Sequence, residues 1–256
     1  MTAFSLAARL RAGETVYSAW CMLGSPLVAE TIAREGFSSV VLDQQHGLWD
    51  TASIIAGINA LHLAKAAPIV RVPLADFAFV SRALDFGAEA IIAPMINTEA
   101  DARQFASAAK YPLLGERSWG PQRAMALQGK SVALDYLREA NDGTLTLAMI
   151  ETPTALANVD AIAATPGIDA LFIGPYDLST SLSGGKAQDP KAPEVERAID
   201  KICAAATKAG KIPGIYCSDA ERALAMQKRG FRFISVVNDV SVVRDGAAAQ
   251  FKRLKG

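Results

Sequence analysis

The sequence predicts an α/β chain folded as one (β/α)8 TIM barrel over residues 1–256, and three observations predict it. Eight short apolar runs recur along the chain, Ala-rich stretches of helical composition separate most of them, and several of those stretches end in glycine. The runs are continuous rather than alternating, as expected of parallel strands that helices cover on the outer face.

In chain order the predicted strands are 16–23, 39–43, 68–73, 90–96, 145–151, 170–175, 212–217 and 233–238. Helical composition occupies 52–66, 77–86, 98–109, 153–164, 194–209 and 220–229. Gly36, Gly87, Gly210 and Gly230 stand where a helix end favours a left-handed residue. An open doubly wound sheet usually has fewer strands and often a phosphate loop, and neither GxGxxG nor GxxxxGK[ST] occurs. Between Ile96 and Leu145 the rhythm breaks in a Gly/Pro/Arg/Trp segment, 110–123. Such segments are usually lids, binding loops or interfaces, and an exposed Trp119 between Arg117 and Arg123 points to function or subunit contact.

Composition narrows the function classes. Hydrophobic residues at 51% and charged residues at 20% allow a large buried core and exclude a disordered chain. Lys+Arg and Asp+Glu are 26 each with no long basic run, so neither nucleic acid nor an anionic membrane is the expected partner. Cys21, Cys203 and Cys217 show no CxxC spacing and read as free thiols of a reducing compartment. The stretch 1–12 carries Arg9 and Arg11 after its apolar part, the reverse of a secretory signal, and no run reaches about 18 uncharged apolar residues. The expected location is cytoplasmic.

Active sites of this fold form at the C-terminal ends of the strands. Four predicted strands bring polar groups there: Asp43 and His46 after the second, Arg71 in the third, Glu151 at the end of the fifth, and Asp177 just after the sixth. Each has a plain alternative. Asp177 could be a helix N-cap, Glu151 a solvated loop residue, and His46 a satisfied loop histidine. Arg71 is harder to dismiss, because a guanidinium in an apolar strand needs an anion beside it. His62 lies in a helical stretch and reads as structural or exposed. Two carboxylates from adjacent strands, with no His or Cys ligand near in sequence, make an oxygen-only site suited to Mg²⁺ or Mn²⁺. A metal there would polarise a carbonyl, Arg71 would stabilise the oxyanion, and His46 would move a proton, which together fit enolate chemistry. A Schiff-base mechanism needs a lysine at the barrel mouth, and Lys65 and Lys211 both precede their strands.

These residues resemble the metal-dependent 2-keto-acid aldolases typified by 4-hydroxy-2-oxoheptanedioate aldolase, with 2-keto-3-deoxy-rhamnonate and 2-dehydro-3-deoxyglucarate aldolases as relatives. The likeness runs nearly end to end and is most specific at Asp43–Gly47, Val70-Arg71-Val72-Pro73, Ile150-Glu151-Thr152, Phe172–Pro175 with Asp177-Leu178-Ser179, and the Gly/Arg loop 115–124. The resemblance implies a phosphoenolpyruvate/pyruvate-type barrel acting on a 2-keto acid (pyruvate or hydroxypyruvate) and an aldehyde. It implies Glu151 and Asp177 as ligands of Mg²⁺, Mn²⁺ or Co²⁺, His46 as a base made more basic by Asp85, and Arg71 as the group that stabilises the enolate. Backbone around Gly174, Pro175, Tyr176 and Asp177 would grip the substrate carboxylate, and Asp43 would order metal-bound water. A homohexamer, a trimer of dimers, is implied too, with loop 111–123 and tail 242–254 as the expected contacts. Two positions depart from the family: Met149 stands for a glutamine and Tyr176 for a small residue, which puts the substrate range in question. A citrate-lyase-type enzyme acting on CoA thioesters is the alternative chemistry, with only Arg117 and Arg123 to meet nucleotide phosphates. A non-catalytic binding barrel is the alternative of another class.

Overall fold

The computed structural model describes residues 5–255, so Met1–Phe4 of the N-terminal stretch and Gly256 lie outside the described residues. Eight parallel strands close into a barrel in sequential order, β1 pairing with β8. They are β1 (Val16–Cys21), β2 (Ser39–Asp43), β3 (Ala67–Arg71), β4 (Ala90–Ala93), β5 (Leu145–Ile150), β6 (Ala170–Ile173), β7 (Ile212–Tyr216) and β8 (Phe233–Asn238). The helices are α1 (Ser5–Arg11), α2 (Pro26–Arg34), α3 (Thr51–Leu63), α4 (Phe77–Phe86), α5 (Glu99–Ala109), α6 (Gln122–Leu127) and α7 (Ala133–Gly143). After β5 come α8 (Pro153–Ala157), α9 (Val159–Ala164), α10 (Pro175–Leu182), α11 (Pro193–Lys208), α12 (Ala220–Lys228) and α13 (Asp239–Lys255).

Two cores sit on opposite faces of the sheet. Successive strand side chains point to opposite faces, so Ile69, Leu147, Met149, Phe172 and Phe233 fill the barrel interior, while Val40, Val70, Ala148, Leu171 and Ile173 pack against the helices. Leu6, Ala7 and Leu10 of α1 join the interior cluster with residues near the strand starts such as Ala90 and Leu145, closing the foot of the barrel. This leaves the C-terminal rim as the open end. No helix among the described residues is long and apolar enough to cross a membrane.

Six of the eight strands stop one to three residues before the predicted ends. Pro73, Pro94 and Pro175 lack the N–H that a ladder needs; Glu151 lies one residue past β5, and Gly174 caps α10, which begins at Pro175 and contains Asp177. The predicted helix 153–164 divides at Asn158, whose Nδ2 donates to the Asn97 carbonyl at 2.9 Å. The long connection before β5 contains α6 and α7, and a small cluster of Tyr111, Ala124, Tyr136 and Ala140 packs beneath it. Trp119, half-exposed as expected, lays its ring against Tyr111 and Tyr136.

Candidate active site at the C-terminal rim

Glu151 leaves β5 buried, with 2% of its surface exposed. Its Oε2 accepts from the Met95 N–H at 3.0 Å, and the Ser181 hydroxyl donates to its carbonyl at 2.8 Å. Met95 reaches that position with φ of 54°, in the left-handed region that costs a non-glycine residue conformational energy. The turn is braced by Asn97, whose Nδ2 donates to the Met95 carbonyl and whose Oδ1 accepts from Thr152. Gly174 lies over the same carboxylate: a Cβ there would stand 2.3 Å from Glu151 Oε1. Only glycine lets the backbone entering α10 approach so closely.

Gly174 is the N-cap of α10 and Pro175 its first residue, so Asp177 is third in the helix and does not cap it. The capping alternative for Asp177 is therefore removed. A carboxylate in the first turn suits the positive end of the helix dipole. It also places Asp177 beside Glu151. Burial is the main cause that pushes the Glu151 carboxyl up to about 7, and the charge of Asp177 adds to it, against the opposing Met95 hydrogen bond and Arg71 charge. A buried carboxyl beside a solvent-exposed carboxylate is an oxygen donor set suited to a hard divalent cation. Among the described residues no cluster of three His, Cys, Asp or Glu side chains forms. A cation held here would thus have two protein ligands, the rest of its shell left to water and substrate.

The raised pKa gives the pH dependence its sign. The folded, metal-free chain keeps a proton on Glu151 that the unfolded chain releases near pH 4.5, so this group lowers stability as pH rises from about 4.5 to 7. A divalent cation must displace that proton. Affinity for Mn²⁺ is expected to fall about tenfold between pH 8 and pH 6, measured by calorimetry at constant ionic strength. A flat affinity over that range would contradict the assignment.

Asp43 is fully buried at the end of β2 and receives five hydrogen bonds. Arg71 donates twice, from Nε to Oδ1 at 2.8 Å and from Nη2 to Oδ2 at 2.5 Å. Trp20 Nε1 donates to Oδ2 at 3.2 Å, and the Gln45 and His46 backbone N–H groups donate to Oδ1 at 3.0 and 3.3 Å. These bonds give the carboxylate a structural task that the sequence did not suggest. It holds the guanidinium in a bidentate grip and fixes the loop carrying His46. It is also the anion that the buried Arg71 requires. The Trp20 ring covers that guanidinium, with Arg71 Cζ 4.8 Å from its centroid.

His46 follows Asp43 in a tight turn, closed by the Gly47 N–H on the Asp43 carbonyl at 3.1 Å. A Cβ on Gly47 would lie 2.2 Å from that carbonyl oxygen, which explains the glycine. His46 is exposed at the mouth of a cavity of about 260 Å³, lined also by Arg71, Met149, Glu151 and the backbone and side chains from Gly174 to Asp177. His62 is exposed, away from this cavity, as the sequence suggested.

Asp85 does not join this set within one chain. It lies in the last turn of α4, which runs back to the foot of the barrel, and its Oδ1 accepts from Arg117 Nη2 at 2.6 Å. The expected support of His46 by Asp85 is therefore not made inside the subunit. The same pair withdraws Arg117 from the rim: its side chain is fully buried and its guanidinium packs 4.5 Å from the Tyr111 ring centroid. Arg123 binds the Asn59 side chain instead. Neither arginine lines the rim cavity, which removes the support for a nucleotide-bearing substrate.

Sequence reasoning missed part of the lining: Trp20, Met22, Phe172, Tyr216 and Asn238. The same strand-end rule applied to β1, β6, β7 and β8 would have found them. Met95 gave no signal, since its role rests on a backbone N–H. A larger cleft, about 460 Å³, opens at the foot beside Pro68, Gly87 and Glu89, but the paired carboxylates and Arg71 are at the other end.

A closed parallel barrel that gathers Glu151, Asp177 and a clamped Arg71 at its C-terminal rim has the architecture of a barrel enzyme. Residues 17–246 match the model of the HpcH/HpaI aldolase/citrate lyase family, and the chain belongs to that family. It is 37% identical over 235 residues to a hydroxypyruvate/pyruvate aldolase of Rhizorhabdus wittichii, covering 92% of each chain. It is 33% identical to a 4-hydroxy-2-oxo-heptane-1,7-dioate aldolase of Salmonella paratyphi B, over 96% of this chain and 95% of that one. The crystal structure of a family protein from Burkholderia cenocepacia J2315 superposes with a TM-score of 0.89 at 33% identity, covering 98% of this chain and 99% of that one.

Proposed function

We propose that the chain is a class II pyruvate-type aldolase, a lyase that makes and breaks the carbon–carbon bond between the enolate of pyruvate or hydroxypyruvate and an aldehyde. The observation that supports this most directly is the buried Glu151 carboxyl sharing one cavity with the exposed Asp177 and the clamped Arg71. The aldolase names of the relatives agree with it. Glu151 and Asp177 would hold Mg²⁺, Mn²⁺ or Co²⁺, and the ion supplies Lewis-acid polarisation of the keto group when bound.

The remaining work falls to side chains and backbone. The N-terminal amides of α10, Tyr176 and Asp177, have no partner within the helix and take the substrate carboxylate. In the cleavage direction His46 removes the proton of the C4 hydroxyl, the C3–C4 bond breaks, and its electron pair passes to the enolate oxygen. Arg71 stabilises that oxyanion through Nη1, the nitrogen not committed to Asp43. Protonation at C3 then gives the keto acid. The test is release of pyruvate from a 4-hydroxy-2-keto acid in a coupled assay. Release is expected to stop with EDTA and return with Mn²⁺; release that ignores EDTA would sink the metal-dependent reading.

The protein is further proposed to act in the cytoplasm as a homohexamer, a trimer of dimers. Exposed Leu113 and Trp119 on the long connection and Val243, Phe251 and Leu254 on α13 support a buried subunit contact. The pairing of Asp85 with His46 can arise only between subunits, since the two lie at opposite ends of one barrel. Light scattering is expected to give six times the 27.0 kDa chain mass, and a monomer at micromolar concentration would contradict it.

A further inference from the structure

In the proposed reaction the cation and the donor take the side of the rim from Glu151 to the start of α10, and His46 and Arg71 come from β2 and β3. The arc from β7 through β8 to β1 is left for the acceptor aldehyde. Its walls are Tyr216, Asn238, Trp20 and Met22, with Tyr176 over the mouth. The aromatic rings are continuous: Trp20 stacks on Phe172 at 6.0 Å, meets Tyr216 edge-on at 5.7 Å, and Tyr216 meets Tyr176 at 6.2 Å. The polar groups are neutral and engaged with one another. Asn238 Oδ1 accepts from the Val240 N–H at 3.0 Å, its Nδ2 lies 3.1 Å from the Met22 sulfur, and its side chain hydrogen-bonds Tyr216.

No lysine or arginine of the described residues lines this arc except Arg71 at its border, which is gripped by Asp43 and whose Nη1 the proposed reaction commits to the enolate oxygen. Lys191 and Arg222 stand nearby in a separate recess bordered by Tyr176 and Tyr216, and Arg222 is paired with Glu196. A carboxylate at the far end of an acceptor would lose its water here and find no cation in return, which is unfavourable. An uncharged chain would find an apolar wall.

We infer that the acceptor subsite of this chain selects uncharged aldehydes and discriminates against those bearing a distal carboxylate. The inference rests on the aldolase reading and deepens it. Butanal and succinic semialdehyde have the same carbon count and differ by the terminal carboxylate. In aldol addition to pyruvate by the Mn²⁺-loaded protein, butanal is expected to give at least about tenfold higher kcat/KM. Tyr216→Lys, which puts a cation into the arc, is expected to narrow or reverse that ratio through the KM of the acid. Tyr176→Lys does the same from the exposed rim should the first variant not fold. Metal-dependent deuterium exchange into the pyruvate methyl group, run without aldehyde, separates the two levels. Exchange with equal or better use of succinic semialdehyde overturns the acceptor assignment and leaves the aldolase standing. Absence of exchange overturns both.

Discussion

Replacing Arg71 with alanine is expected to lower turnover by about 10²–10³, the usual worth of one oxyanion donor. The guanidinium is nearly buried, gripped by Asp43 through two hydrogen bonds and covered by the Trp20 ring, so it is aimed before substrate arrives. Such preorganisation is what makes a donor valuable in the transition state. The variant will also be less stable, because Asp43 keeps a buried charge with only Trp20 and two backbone N–H groups as partners. Urea melts separate that loss from the catalytic one. Arg71→Lys sharpens the test: it keeps the charge but lacks the planar fork that matches Asp43. It is expected to recover stability more than rate. An Arg71→Ala enzyme that is folded and retains more than about a tenth of the wild-type rate would contradict the oxyanion role.

The second large effect is expected from Glu151→Gln. The amide preserves shape and can still accept from the Met95 N–H, yet it removes the negative charge that draws a cation. Mn²⁺ affinity is expected to fall by about 10² or more, and turnover at micromolar metal to reach background. The stability change has the opposite sign. Above pH 7 the metal-free wild type carries Glu151 ionised in a site whose burial pushes its carboxyl up to about 7, and the variant is relieved of that charge. The metal-free variant should therefore melt above the metal-free wild type at pH 8, while the two converge near pH 5, where Glu151 is protonated. A variant that binds Mn²⁺ as tightly as wild type, or that is destabilised more at pH 8 than at pH 5, would refute the ligand assignment.

The barrel was legible because its repeat is physical: apolar runs too continuous for half-exposed strands, separated by helices of which several end in glycine. What the pattern could not give was the exact end of six of the eight strands. Pro73, Pro94 and Pro175 end the ladders, and those residues are where the chain turns to build the rim. The chemical groups at the rim were readable from the strand-end rule, since Asp43, Arg71 and Glu151 sit beside strands whose apolar neighbours fix their direction. Their division of labour was not. Asp43 holds Arg71, Trp20 and the His46 loop, an arrangement that joins β1, β2 and β3 and leaves no local sequence signal. The direction of α4 carries Asp85 to the foot of its own barrel, where Arg117 takes it, so its expected pairing with His46 is one between subunits. Helix polarity alone would have given that answer. Met95 could not be read at all, because a backbone N–H presented from an unusual φ has no residue-type signature.

In the proposed reaction this rim enolises a 2-keto acid with the help of a divalent cation held by Glu151 and Asp177. The most direct test is solvent deuterium exchange into the methyl group of pyruvate, followed by NMR with no aldehyde present. Exchange is expected with Mn²⁺ or Mg²⁺, to stop with EDTA, and to collapse in His46→Ala and Arg71→Ala. Absence of exchange from both pyruvate and hydroxypyruvate in the metal-loaded protein, or exchange indifferent to EDTA, would contradict the account.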